Sequence, residues 1–246
     1  MTGTSKVAAA LIRAWREGRP ESFEGLELMT ESDAYLVQQA VAAELGWFRE
    51  DVSSAWKLGG SPGGLISAAR VPDSSIHSSG WQVPERYCSR FGIEGELVVR
   101  LGQDIDEHAN AATVYEAIEA WHVGIELCDT RFLNGERANP LLRLADQQLN
   151  RALILGEAIK PAPDWSGQAV QVWVNGQIQI ADIASHPFTD PLSSLPWLAR
   201  HAVAENRPLK AGDLVATGSW TGLFWAPSGS TIKVEFVGQG EVLLSS

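Results

Sequence analysis

The sequence predicts an α+β fold, with a small helical part over residues 1–50 and a β-rich core over residues 51–246. Three observations lead there. The first fifty residues carry two apolar stripes at helical spacing, each bounded by a capping residue and a glycine. Beyond Gly46 the pattern changes to short β-type runs between Gly, Pro and Ser clusters. No regular alternation of strand and helix marks out parallel βαβ units.

In chain order, Thr4 is placed to cap a first helix that presents Val7, Leu11, Ile12 and Trp15 on one face and stops at Gly18. Thr30 and Asp33 form a capping box ahead of Tyr35, Leu36, Val41 and Leu45, with Gly46 as the stop. Strands are expected over 52–58, 93–101, 123–128 and 170–180. Within the last of these, Asn175-Gly176 supplies the positive-φ pair of a type I′ hairpin. Further strands are expected over 213–217, 231–237 and 241–244, and helices over 113–121, where Thr113 and Glu116 pattern as a capping box, and 191–205.

The formal charge is −11, from 19 Lys and Arg against 30 Asp and Glu. That excludes a nucleic-acid binder, which needs a basic stripe, and a polybasic membrane-surface protein. No apolar run approaches the ~18 residues of a bilayer span, and the N-terminus lacks the continuous apolar core of a signal peptide. Cys88 and Cys128 form neither a disulfide framework nor a metal pair, so a cytoplasmic, reducing setting is expected. Ten Trp residues call for a thick core or an aromatic-lined cleft.

Three stretches carry candidate chemistry. In Ile93-Glu94-Gly95-Glu96-Leu97 a strand places both carboxylates on one face, about 6.5–7 Å apart. Such a pair repels unless a proton or a hard cation such as Mg²⁺ or Mn²⁺ sits between, or unless the face is solvated. In Val123-Gly124-Ile125-Glu126-Leu127-Cys128-Asp129-Thr130-Arg131 the apolar residues alternate and Glu126 shares its face with Gly124 and Cys128. A carboxylate there needs a metal or an arginine. Lys57, between Trp56 and Leu58 and ahead of Gly59-Gly60, suits an acid/base group or a carboxylate anchor, or a snorkelling edge lysine. The glycine-rich stretch 59–64 lacks the order of a phosphate-binding loop and reads as a mobile loop beside the site. No G-x-S-x-G, H-E-x-x-H or G-x-G-x-x-G occurs, and the five His residues show no ligand spacing, with a functional role left open for His77.

Taken in order, several stretches resemble the fumarylacetoacetate hydrolase superfamily, and within it the 2-keto-4-pentenoate hydratase and 4-oxalocrotonate decarboxylase branch. They are Ala34-Tyr35-Leu36-Val37-Gln38, Trp56-Lys57-Leu58-Gly59, Glu94-Gly95-Glu96, Ile125 to Arg131, Leu144-Ala145-Asp146, Leu155-Gly156, Pro196-Trp197-Leu198-Ala199 and Gly212 to Ser219. The resemblance implies a mixed β-roll core, a homo-oligomer, and one Mg²⁺ or Mn²⁺ held by Glu94, Glu96 and Glu126, with Asp129 as the competing third ligand. It implies a catalytic role for Lys57 and substrate contacts from Lys57 and Ser219, and Trp56, next to the lysine, is expected to join them. The expected activity is a hydratase-type lyase acting on a small anionic 2-hydroxydienoate or 2-keto acid through a metal-stabilised enolate. Decarboxylation, acylpyruvate-type C–C hydrolysis and non-catalytic carboxylate binding are the alternatives.

The chain departs from that branch at Ser79, where an acid is usual, at Gln147, Gln148 and Leu149, and at Trp220. Water activation would then fall to His77, Lys57 or a metal-bound water, and Trp56 and Trp220 would line the cleft.

Overall fold

A computed structural model describes residues 2–60, 64–160, 164–183 and 186–246. Two helices come first, α1 (Gly3–Glu17) and α2 (Glu31–Leu45). Thr2, not Thr4, caps α1, its hydroxyl accepting from Ser5 N, and Thr4 falls inside the first turn. The Thr30–Asp33 capping box of α2 forms as expected, and Gly18 and Gly46 close the two helices in left-handed conformation. Val7, Leu11, Val37 and Val41 pack with Phe132 and Leu142 in a small core of their own.

The strands are β1 (Ala55–Gly60), β2 (Ile66–Val71), β3 (Ile76–Ser78), β4 (Trp81–Gln82), β5 (Phe91–Leu101), β6 (Ile118–Cys128), β7 (Asn150–Ile159), β8 (Ala169–Val174), β9 (Gln177–Ile183), β10 (Leu214–Ser219), β11 (Phe224–Ala226), β12 (Thr231–Phe236) and β13 (Gly240–Ser245). Helices α3 (Ala111–Glu116), α4 (Pro140–Ala145) and α5 (Leu195–Ala204) interrupt them. One sheet runs β2-β1-β10-β5-β6-β7-β3, with β11 also on β5, and the other runs β4-β13-β12-β8-β9. Both are mixed: β1–β10, β3–β7 and β4–β13 pair in parallel and the other pairs are antiparallel. The Asn175-Gly176 turn joins β8 to β9 with φ of 52° and 76°.

The expected 113–121 helix is shorter. Asn110 captures the N-terminus, accepting from Ala112 N and Thr113 N, and from Ile118 the chain already pairs with Leu101 of β5. The expected 191–205 helix begins only at Leu195. β2 and β7 were not legible as strands. The apolar run 152–155 has no alternation because β7 is buried on both faces.

The two faces of the larger sheet differ. Ile93, Leu97, Val99, Val123, Ile125 and Ile154 meet Val172, Ile232, Val234 and Val242 of the second sheet in the main core. Gly156 is required at the tightest approach, since a Cβ there would lie 2.5 Å from the Glu241 carbonyl oxygen. The opposite face carries a small apolar patch (Ala55, Val98, Leu153, Leu214, Ala216) and, beside it, acids and a lysine.

Candidate active site

Strand pairing brings the acids together. Glu94 sits directly across from Glu126 in the β5–β6 ladder, and Glu96 lies across from Gly124. Alternation puts all three side chains on the face away from the main core. Glu96 and Glu126 are buried and Glu94 is half-buried. From β1, separated from β6 by β10 and β5, Lys57 reaches Glu126: Nζ lies 3.1 Å from Oε1. The same ammonium donates to the Gln148 carbonyl at 3.3 Å, and Asn150 Nδ2 donates to Glu126 Oε1 at 2.9 Å. Glu96 Oε2 accepts from Gly218 N at 3.1 Å, and Cys128 Sγ donates to Glu94 Oε2 at 3.4 Å.

Charge in this cluster is unbalanced. Three carboxylates act on one ammonium, and Glu126 Oε2 is buried without a hydrogen-bond partner among the described residues. Burial, and then the neighbouring Glu126 and Glu94, pushes the Glu96 carboxyl well above the usual carboxylate range. Burial likewise raises Glu126 against the pull of Lys57. Burial alone would lower Lys57, but Glu126 and Glu94 outweigh it and hold the ammonium charged. Oxygen-only, anionic and mutually repelling donors suit a hard divalent cation. One atom each of Glu94, Glu126 and Cys128 lie within 4.8 Å of one another. Burial and then Glu126 raise the Cys128 thiol.

Asp129 is placed differently. Its carboxylate accepts from Ser89 N (2.9 Å), Ser89 Oγ (2.7 Å) and Arg90 N (2.9 Å), at the mouth of a separate polar knot. There Arg131 pairs with Asp146 and also donates to the carbonyls of Asn150 and Asp146, while Thr130 Oγ1 donates to the Asp146 carboxylate.

Other expected positions separate from the acids. Trp56 neighbours Lys57 in sequence and therefore faces the other side of β1, within the main core. His77 lies on β3 opposite Ile154, on the core side of the sheet, and stacks on Trp81 with centroids 3.6 Å apart. It is not brought to the carboxylates. Trp220 does not line their cleft either, since it packs edge-on against Phe236 in the core. Ser219 sits in register with Glu96, and its buried hydroxyl has no partner among the described residues. Ser79 accepts at its hydroxyl from Leu243 N, tying the β3–β4 turn to β13. The glycine-rich stretch begins within β1, and its residues 61–63 lie outside the described residues.

Two contributors escaped the sequence reading. Asn150 orients Glu126, and its place directly after a left-handed turn is the signal that was missed. That turn, Gln147, Gln148 and Leu149 with φ of 51°, 52° and 68°, presents the Gln148 carbonyl to Lys57. Consecutive left-handed non-glycine residues are strained and persist where the surroundings fix them.

The model of the fumarylacetoacetate (FAA) hydrolase C-terminal family matches residues 64–243. A 2-oxo-hept-4-ene-1,7-dioate hydratase from Escherichia coli is 26% identical over 235 residues, covering 87% of this chain and 86% of that protein. The TodF product hydratase from Pseudomonas putida is 28% identical over 153 residues, so the match spans only 57% of that protein and 61% of this chain. A 4-oxalocrotonate decarboxylase structure from Pseudomonas putida G7, complexed with calcium and acetate, superposes with a TM-score of 0.80 at 20% identity, covering 100% of this chain and 98% of that one. That likeness shows the fold.

Proposed function

The chain belongs to the fumarylacetoacetate hydrolase family, and on that premise we propose that it is a divalent-metal-dependent lyase of the hydratase type, acting on a 2-hydroxydienoate or 2-keto acid. The observation that carries this is Glu126, paired with Lys57 and with one buried oxygen unpartnered among the described residues, beside Glu94 across the ladder and Glu96 on the same face. These three would hold Mg²⁺ or Mn²⁺. The hydrogen bonds that Asp129 accepts from Ser89 and Arg90 support Glu126 over Asp129 as the third ligand. When bound, the ion supplies Lewis acidity toward the carboxylate and keto oxygens of a 2-keto acid.

The chain's own groups do the rest. Lys57, held charged and aimed by Glu126 and the Gln148 carbonyl, neutralises the substrate carboxylate or holds the transferred proton at Nζ. Asn150 fixes the rotamer of Glu126 through its amide N–H. The free Ser219 hydroxyl offers a hydrogen bond beside Glu96. Burial of the cluster keeps bulk solvent away and strengthens each of these contacts. The hydratases among the relatives favour hydration. A second reading, decarboxylation, is favoured by full-length likeness to a decarboxylase and by Ser79 where an acid is usual.

The test is turnover with Mg²⁺ of 2-hydroxypenta-2,4-dienoate, 4-oxalocrotonate and an acylpyruvate. Hydration of the dienoate as the fastest reaction is expected. No hydration beside clear decarboxylation or C–C cleavage would move the assignment to that reaction. Binding of oxalate without turnover of any of the three would make the chain a carboxylate binder.

A further inference from the structure

On the far side of the β1–β2 pair from Lys57 lies a cavity of about 420 Å³, within the range of small-ligand sites. Trp56 and Arg70 stand opposite each other in the strand register and so share the face that lines it. Trp47 and Phe48, just beyond α2, form a second aromatic wall, and Arg207 and Glu205 close the rim below α5. The Arg70 guanidinium lies 3.5 Å from the Phe48 ring centroid and 5.9 Å from that of Trp56, and its Nη2 donates to Ser54 Oγ at 2.9 Å.

The cavity lining carries more guanidinium than carboxylate. Two guanidiniums line it against the single carboxylate of Glu205, which already accepts from Gln39 Nε2. Neither arginine forms an ion pair among the described residues. Two acids outside the lining, Asp213 and Asp73, also act on Arg70, and both accept backbone hydrogen bonds. Asp213 accepts from Ser54 N and Lys210 N, and Asp73 accepts from Arg49 N. Burial, and then Arg207, lowers Arg70 to about 10, while Asp73 and Asp213 act in the opposite direction. A fixed guanidinium on an aromatic wall is suited to a carboxylate, and indole and phenyl faces are suited to a ring.

We propose that this cavity is a binding site for a small aromatic carboxylate, with the ring against Trp47 and the carboxylate between Arg70 and Arg207. The site is separate from the Glu94–Glu126 cluster and does not depend on the reaction assigned there. The anion is a single carboxylate on a single ring, because the lining sets two guanidiniums against one carboxylate beside an aromatic wall.

Calorimetric titration of benzoate into the full chain, with and without Mg²⁺ and oxalate, tests it. One saturable site of millimolar affinity or tighter is expected, unchanged by Mg²⁺ and oxalate, with no binding of the uncharged benzamide. Arg70→Gln and Arg207→Gln should each weaken benzoate by about tenfold or more while leaving stabilisation by Mg²⁺ intact. Arg207 is exposed, so its variant carries the test even if Arg70→Gln folds poorly. Absence of saturable heat, displacement of benzoate by oxalate, equal binding of benzamide, or full affinity in Arg207→Gln would each overturn the site.

Discussion

Glu126 and Asp129 stand three residues apart, yet they belong to two regions that hold buried charge in opposite ways. Around Asp129, Arg131 and Asp146, each carboxylate has several protein donors, and the guanidinium has a carboxylate and two carbonyls. Around Glu126, three carboxylates share one lysine and an oxygen is left bare. Burial is similar in both, so burial alone does not separate structure from function. The balance of donors and acceptors does. A satisfied knot holds loops to the sheet, and an unsatisfied one keeps a place for something the chain does not supply.

The contrast can be broken from either side. The largest expected effect is in the satisfied knot. Arg131→Met leaves the Asp146 carboxylate buried without its countercharge, and a loss of about 3–5 kcal/mol is expected, with a Tm lower by roughly 10 °C or failure to fold. A calorimetric loss below about 1 kcal/mol would remove the knot from the structural class.

Next comes a buried group that is satisfied only when neutral. His186 donates from Nε2 to the Thr217 carbonyl and accepts at Nδ1 from Phe188 N, and burial lowers its pKa to about 4. The unfolded chain therefore binds a proton that the folded chain refuses between about pH 6.5 and 4. Stability should fall across that window as pH drops, by up to about 3 kcal/mol, and the fall should flatten in His186→Gln. Urea melts at pH 7 and pH 4.5 check it. An unchanged slope in the variant would contradict it.

In the unsatisfied cluster the expected effects are on binding. Glu96→Gln keeps an oxygen for Gly218 N and removes one of three repelling charges. In chelator it should be at least as stable as the parent, while Mg²⁺ affinity drops by about 100-fold or more. A folding defect like that of Arg131→Met would erase the distinction between the two regions. The smallest effect is expected from Asn150→Ala, which frees the Glu126 rotamer and should cost about 10–100-fold in Mg²⁺ affinity by titration. Unaltered affinity would show that Glu126 is positioned by Lys57 alone.

Features set by neighbours in sequence were legible in the sequence. The Thr30–Asp33 box, the Asn175-Gly176 hairpin and the shared face of Glu94 and Glu96 all follow from local chemistry and strand alternation. The same alternation puts Trp56 opposite to Lys57, so grouping the two by adjacency misplaced the tryptophan. The Thr113–Glu116 pattern suggested too long a helix because Asn110 is the stronger competitor for the N-terminus, and pairing with β5 claims the chain from Ile118. The Lys57–Glu126 contact spans β10 and β5, and the carboxylate pairing depends on the β5–β6 register across a long connection, which no local pattern encodes. Resemblance to the family supplied those positions, and the fold brings Glu94, Glu96, Glu126 and Lys57 together.

The central claim is that the three carboxylates await a divalent cation, and thermal melting with increasing Mg²⁺ tests it most directly. The full chain should gain about 2.7 kcal/mol at 100 times Kd, a rise of roughly 5–10 °C in Tm, and Glu126→Gln should gain almost none. An equal rise in Glu126→Gln, or no rise in the parent chain with either Mg²⁺ or Mn²⁺, would contradict it.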